Sequence, residues 1–144
     1  MIKIEGKIKM IWGFKKDIFI SYAYSSDKHY KNLLLAWDKN DMFDFEFYDG
    51  SVTTPVNSND AGPIKRVISQ KISKATHLLC IVGKDTHKSG WVSWEIEKAI
   101  ELGKKIIAVK TDRSNATPDA LYGVGATWAM SFTFAAIKKA VDES

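Results

Sequence analysis

The chain has 144 residues, of which 45% are hydrophobic and 26% are charged, and its formal net charge is +4. This length supports one domain with a buried core, and this composition excludes a disordered or low-complexity chain. The lysine residues are spread along the chain and form no basic run, so nucleic acid is not expected as a partner. The single cysteine, Cys80, excludes an intrachain disulfide and a cysteine-based zinc site, and it fits a reducing cytoplasm.

The first elements are predicted from hydrophobic patterning. Residues 1–16 are basic and mildly apolar, and their longest apolar piece, Met10-Ile11-Trp12, is too short for a signal peptide or a membrane span, so no membrane is expected as a partner. We interpret them as an extension and place the domain at residues 17–144. Residues 17–22 are β-branched and aromatic, which indicates a buried strand. Ser25-Ser26-Asp27 supplies candidate N-caps for a helix with Leu33 on its inward face.

The second strand and the helix after it are separated by a long polar segment. Residues 43–48 alternate between apolar and polar, which predicts a strand near a sheet edge. Residues 49–63 are rich in Ser, Thr, Asn, Gly and Pro, and loops of this length are usually functional or mobile. A helix over residues 63–75, with Val67 inward, follows.

The rest of the chain continues the alternation of strands and helices. Residues 77–83 form the most apolar strand, predicted to be central, and Cys80 lies within it as a small buried hydrophobe. A helix over residues 89–103 has Ile100 in its buried stripe and Gly103 as its C-cap. The remaining predicted elements are strands at residues 105–110 and 126–130 and a helix at residues 132–141.

This alternation predicts an α/β fold with a flavodoxin-like, parallel, five-stranded sheet and helices on both faces. Ligands of such folds bind beyond the carboxyl ends of the strands. The segments expected at that rim are residues 22–26, 49–62, 83–89 and 112–116, together with the start of the third helix.

The motif Trp91-Val92-Ser93-Trp94-Glu95 lies at that helix start. Residues four apart on a helix share a face, so Trp91 and Glu95 should point the same way. A carboxylate against an aromatic surface is partly desolvated, and such acids are often functional. The alternative is a solvated glutamate beside a core tryptophan.

The sequence gives weak or no support for several other kinds of site. The sequence has neither a phosphate-binding loop nor Gly-x-Gly-x-x-Gly before a helix, and its three histidines lack metal-ligand spacing, so no metal is expected. Ser21 has no evident His/Asp partner set for nucleophilic catalysis. A phosphoacceptor receiver is rejected because the third strand ends in Val82-Gly83 rather than in an aspartate.

Three features resemble Toll/interleukin-1 receptor (TIR) domains. Residues 17–22 look like the opening strand of these domains, and Trp91 to Glu95 matches their Trp-Cys-x-x-Glu helix start with Val92 in place of cysteine. Residues 49–63 fall where TIR domains carry a variable loop, although Gly62-Pro63 reverses the family's Pro-Gly order. The resemblance covers about residues 17–143 and is nearest to the bacterial TIR-like branch of Thoeris anti-phage defence.

The resemblance implies cleavage of NAD between nicotinamide and ribose, as by an NAD glycohydrolase or ADP-ribosyl cyclase, with Glu95 as the catalytic glutamate. It would act as an ionised stabiliser of the positively charged ribose rather than as a proton donor with a raised pKa. NAD would be a substrate, with no cofactor required. The substrate-binding candidates are Ser21, Tyr22, Ala23, Tyr24, Asp49, Lys84 and Trp91.

These candidates have different expected roles. Tyr22, Ala23 and Tyr24 would flank the base or the nicotinamide, and Lys84 would pair with the diphosphate. Asp49 would contact ribose or cap its loop, while Ser21 would first serve the fold. The resemblance further implies a cyclic nucleotide product that activates a separate effector, and self-association of the domain on activation.

Two functions of other classes remain open on the sequence. One is a non-enzymatic adaptor that assembles through TIR surfaces, and the other is a flavodoxin-like module that binds a nucleotide without chemistry. The glutamate at the motif position favours the enzyme, since an adaptor has no need of it.

Overall fold

A computed structural model describes residues 16–39, 41–49 and 53–144. The strands are β1 (Lys16–Ser21), β2 (Phe43–Glu46), β3 (His77–Val82), β4 (Lys105–Lys110) and β5 (Thr127–Ala129). The α-helices are α1 (Tyr24–Trp37), α2 (Gly62–Lys74), α3 (Gly90–Glu101) and α4 (Phe134–Glu143). The predicted N-terminal extension lies outside the described residues, apart from Lys16.

The five strands form one parallel sheet in the order β2-β1-β3-β4-β5. Every residue of β3 is buried, because strands flank it on both sides and helices cover both faces. One face packs against α1 and α4, the other against α2 and α3. The predicted α/β fold, the central third strand and the edge position of the second strand are confirmed.

Three residues predicted to face inward are instead exposed. The exposed fractions are 38% for Leu33, 42% for Val67 and 40% for Ile100. A helix lying on a sheet buries only a narrow stripe of its surface, and a residue at the margin of that stripe stays in water. In α2, for example, Ile68 and Ile72 make the buried contact, and Val67 lies beside it.

A side chain caps the start of α3 and of α4, but no side chain caps the start of α1 or of α2. In α3, Ser89 is the N-cap and its Oγ accepts from the Val92 N–H, while Gly103 has a φ of +75° just beyond the end, as predicted. In α1, by contrast, the N-cap is Ala23, and residues 25–27 lie inside the helix, so the predicted capping was wrong. The Asp27 carboxylate instead contacts the Thr86 hydroxyl in the loop between β3 and α3.

None of the helices within the described ranges combines the length and the apolar character that a membrane-spanning segment needs.

Candidate active site

A buried hydrogen bond joins the end of β1 to α3. The Ser21 hydroxyl donates from Oγ to Glu95 Oε1 over 2.6 Å. Ser21 is 0% exposed and Glu95 is 7% exposed. Ser21 lies on the α3 side of the sheet because it follows Phe19 by two residues, and strand side chains alternate between faces. The sequence marked both residues as candidates, but the fold brings them together across 74 positions.

Burial raises the pKa of Glu95 to about 8, against the lowering effect of the hydrogen bond from Ser21. In a low-dielectric surrounding the charged form of a carboxyl is disfavoured. At pH 7 only roughly a tenth of such a group is ionised. The expectation that Glu95 has no raised pKa was therefore wrong.

A cavity of about 320 Å³ opens at the carboxyl end of β1. Ser21 and Glu95 are not among its lining residues, but Tyr22, which follows Ser21, and Trp91, one helical turn before Glu95, both line it. One wall is the start of α1, and the other is the loop between β3 and α3 with the first residues of that helix. The lining includes four of the predicted site residues, namely Tyr22, Ala23, Tyr24 and Trp91. The rest of the lining is Ser25, Asp85, Lys88, Ser89 and Gly90. The cavity thus combines aromatic surface with one lysine.

The lysine of this cavity is Lys88 rather than Lys84. Lys84 is exposed and is not among the lining residues. Lys88 lies four residues further along, in a short turn of 3-10 helix, and it lines the cavity. Such a turn carries no hydrophobic periodicity, so the sequence could not tell which of the two lysines faces the cavity.

Asp49 lies on the α1 side of Tyr22, in an ion pair that sequence analysis missed. Its Oδ2 accepts from Lys31 Nζ over 2.9 Å. Lys31 is only 3% exposed, and its Nζ lies 4.0 Å from the centre of the Phe47 ring and 5.7 Å from that of Tyr22. Burial lowers the pKa of Lys31. The spacing of Asp27, Lys31 and Leu34 on one helical face was the available signal.

Trp91 fastens the loop after β2 to the start of α3. Its indole Nε1 donates to the Thr54 carbonyl over 2.9 Å. A Cβ added at Gly90 would lie 2.9 Å from Val56 Cγ1, so the same loop packs closely on the helix start. The rings of Trp91 and Trp94 meet edge to face with their centres 6.0 Å apart. Trp91 therefore forms part of the cavity wall and also holds the neighbouring loop.

Replacing Trp91 with phenylalanine should loosen this loop. The change keeps an aromatic ring but removes the donor to Thr54, a loss of about 1 kcal/mol. When proteolysis follows the fraction of molecules in which this loop is detached, a non-specific protease should cut within residues 53–58 about fivefold faster than in the wild type. Trp94→Phe is the matched control, since it alters an indole without touching Thr54. Equal cleavage rates for both variants would contradict the assignment.

Comparison with solved structures shows the same fold in two nucleoside enzymes. One is a 2-deoxyribosyltransferase from Bacillus psychrosaccharolyticus, with a TM-score of 0.60, 11% identity, and coverage of 81% of this chain and 87% of that one. The other is a CMP N-glycosidase from Clostridium botulinum, with a TM-score of 0.56, 15% identity, and coverage of 88% and 99%. At these identities the likeness concerns the fold alone.

Comparison with curated proteins gives no match. The model of the family described as "Thoeris protein ThsB, TIR-like domain" matches residues 19–116. That match covers most of the chain, from β1 through β4, and includes both Ser21 and Glu95. The chain therefore belongs to the TIR-like domain family of the Thoeris protein ThsB.

Proposed function

We propose that this protein cleaves the N-glycosidic bond between nicotinamide and ribose in NAD, with Glu95 as the catalytic carboxylate. The observation that carries the proposal is the buried Ser21–Glu95 hydrogen bond of 2.6 Å beside an aromatic cavity. A carboxyl group held in a dry site next to a ligand-sized cavity is a recurrent arrangement in active sites.

The chemistry of the bond suits a single carboxylate. Cleavage passes through a positively charged, oxocarbenium-like ribose, which a carboxylate stabilises strongly in a low-dielectric site. Nicotinamide departs as a neutral molecule, so no strong general acid is required. The nicotinamide ring of NAD carries a positive charge before cleavage. When it binds beside Glu95, this charge lowers the pKa of the carboxyl and favours the ionised form that the reaction uses.

Ser21 has a positioning role in this scheme. Its hydroxyl donates to Oε1. In the proposed reaction the other oxygen of Glu95 would face the sugar. A hydrogen bond to the ionised form also favours that form, which opposes the effect of burial.

The size of the cavity supports nicotinamide and its ribose as the part of NAD that would bind there. A volume of about 320 Å³ lies at the lower end for ligand cavities, so it suits nicotinamide and its ribose rather than the whole dinucleotide. Tyr22, Tyr24 and Trp91 provide flat apolar surface for the ring. Lys88, which is 71% exposed, lies at the margin, where it would meet the diphosphate.

The family and the fold support the same class of reaction. One structure with this fold is named as an N-glycosidase and another as a deoxyribosyltransferase, so the architecture accommodates chemistry at a bond between sugar and base. We further propose that an adenine nitrogen or a ribose hydroxyl of the same molecule attacks the ribose cation in place of water. The product would then be a cyclic ADP-ribose-type nucleotide that activates a separate effector. The enzyme would work in the cytoplasm without a metal or cofactor and would self-associate on activation.

The direct test is to incubate the protein with NAD and to measure free nicotinamide by chromatography, with and without phage-derived triggers. Glu95→Ala should release at least about 100-fold less nicotinamide than the wild type. Glu97→Ala is the matched control, because Glu97 is an exposed glutamate on the same helix. No release from the wild type under any condition would overturn the proposed activity, and equal release from both proteins would overturn the role of Glu95.

The two lysines of the β3–α3 segment give a further prediction. Lys88→Ala should raise the KM for NAD several-fold with little change in kcat, because an exposed charge that pairs with a diphosphate contributes about 1 kcal/mol or less. Lys84→Ala should leave both constants unchanged, since Lys84 does not line the cavity. Steady-state kinetics at low ionic strength would show the difference, and an effect from Lys84 alone would contradict it.

A further inference from the structure

Asp27 is a second buried carboxyl group near the site, and the proposed reaction does not use it. It lies in the first turn of α1 and is 3% exposed. Its carboxylate packs against the backbone of Gly83, so closely that a Cβ at that position would collide with both carboxylate oxygens. Asp27 therefore joins the helix that forms one wall of the cavity to the loop that leads into the other.

The contact runs through the hydroxyl of Thr86. This side chain is 0% exposed, and its Oγ1 accepts from the Gly83 N–H over 2.8 Å. The same oxygen lies 3.1 Å from Asp27 Oδ2 and 3.1 Å from the Ile81 carbonyl oxygen. Both of these oxygens are acceptors when Asp27 is ionised, yet a hydroxyl has one proton to donate.

The number of protons available for hydrogen bonds differs between the ionised and the protonated form of Asp27. With Asp27 ionised, Thr86 donates either to the carboxylate or to the Ile81 carbonyl, and the other contact has no proton. With Asp27 protonated, its own O–H donates to Thr86, Thr86 donates to Ile81, and Thr86 still accepts from Gly83. A hydroxyl oxygen can accept two hydrogen bonds, so only the protonated state provides a proton for every contact.

We propose that Asp27 is a positioning residue that, in its protonated form, clamps the β3–α3 loop to α1 and so holds together the two walls of the cavity, and that ionisation of Asp27 weakens this clamp. Tyr24 and Ser25 belong to the wall on the α1 side, while Asp85 and Lys88 belong to the wall on the loop side. The clamp concerns the shape of the cavity and does not depend on which ligand the cavity takes.

The surroundings of Asp27 favour its protonated form. Burial raises the pKa of Asp27, and the negative charge of Asp85 in the loop raises it further. The hydrogen bond from Thr86, the nearby His29 and, to a smaller extent, a hydrogen bond from Ser26 lower it. From β3 the neighbouring titratable group is the buried Cys80 thiol, whose pKa is raised by burial and by the charges of Glu95 and Asp27.

The Gly83 amide proton reports directly on the clamp and can be followed by ¹⁵N–¹H NMR from pH 3 to pH 9. In the wild type its chemical shift should follow a transition with a midpoint above 3.8, the ordinary pKa of aspartic acid. In Asp27→Asn the transition should vanish and the shift should stay near the low-pH value, because the carboxamide N–H donates to Thr86 as the protonated acid does. A transition at Gly83 that arises from any other group would persist in this variant.

Two further variants complete the test. Glu95→Gln should retain the Gly83 transition, which shows that it does not arise from Glu95. Thr86→Val should shift the Gly83 resonance at every pH, whereas Thr86→Ser should restore the wild-type behaviour. The proposal is overturned if the wild type shows no transition at Gly83, if its midpoint lies below 3.8, or if the transition persists in Asp27→Asn. None of these results depends on NAD, so they stand apart from a failure of the proposed activity.

Discussion

Replacing Glu95 with glutamine should stabilise the protein progressively more, relative to the wild type, as the pH rises from about 4.5 to about 8. The carboxyl group ionises freely in the unfolded chain, near 4.5, but in the folded protein burial raises its pKa to about 8. Between these values the folded state binds more protons than the unfolded state, so the free energy of unfolding of the wild type falls with rising pH. Glutamine is uncharged and carries no such penalty.

The expected size of the effect is large for one substitution. Relative to its value at pH 4, the difference in the free energy of unfolding should grow by about 3 kcal/mol at pH 7 and reach its full value above pH 8. The Ser21 hydroxyl can still donate to the amide oxygen of glutamine, so the hydrogen bond is not the source of the change. The same variant should lose nicotinamide release, and the gain in stability would then accompany a loss of function.

Urea unfolding of both proteins across pH 4–9 measures this difference. Glu97→Gln is the control, because Glu97 is exposed and its replacement removes the same charge from the same helix. The prediction fails if the difference between Glu95→Gln and the wild type is constant with pH or shrinks as the pH rises.

The second prediction concerns the pH dependence of NAD cleavage. If ionised Glu95 is the reacting form, kcat/KM should rise about tenfold per pH unit below 8 and level off above it, because kcat/KM follows the pKa values of the free enzyme. A carboxyl group that reacts in its ionised form is active on the alkaline side of its pKa. A proton-donating Glu95 would give the opposite slope.

Ser21 provides an internal check on this profile. Its hydrogen bond lowers the pKa of Glu95, so Ser21→Ala should move the midpoint of the profile to a higher pH. Ser21→Thr keeps the hydroxyl and should leave the midpoint near 8. Initial rates of nicotinamide release at low NAD concentration would give these profiles. A flat or falling profile between pH 6 and pH 9 would rule out ionised Glu95 as the reacting form.

The fold could be predicted from local sequence patterns, because burial and turn geometry restrict which residues each strand, helix end and turn can contain. Continuous apolar runs such as residues 77–82 have the composition that a strand buried on both faces needs. The φ of +75° at Gly103 explains why a glycine follows α3. The errors at Leu33, Val67 and Ile100 arose because the edge of a buried stripe depends on the tilt of the helix on the sheet.

Local sequence patterns predicted only part of the candidate active site. The spacing of Trp91 and Glu95 and the parallel topology predicted a carboxyl group near the carboxyl ends of the strands. The Ser21–Glu95 bond, the Lys31–Asp49 pair and the Asp27–Thr86 contact join residues that are 74, 18 and 59 positions apart. No local pattern encodes such partners, so sequence reasoning assigned Asp27 to a cap and left Lys31 unnoticed.

By itself the sequence determined which residues form strands and helices, and therefore which loops share one rim of the sheet, because periodicity and turn chemistry act over a few residues. Only the tertiary structure decided the raised pKa of Glu95, the lysine that lines the cavity and the partner of Asp27. These properties depend on how much water each group loses and on which dipoles surround it. Both are set by segments that are distant in the chain.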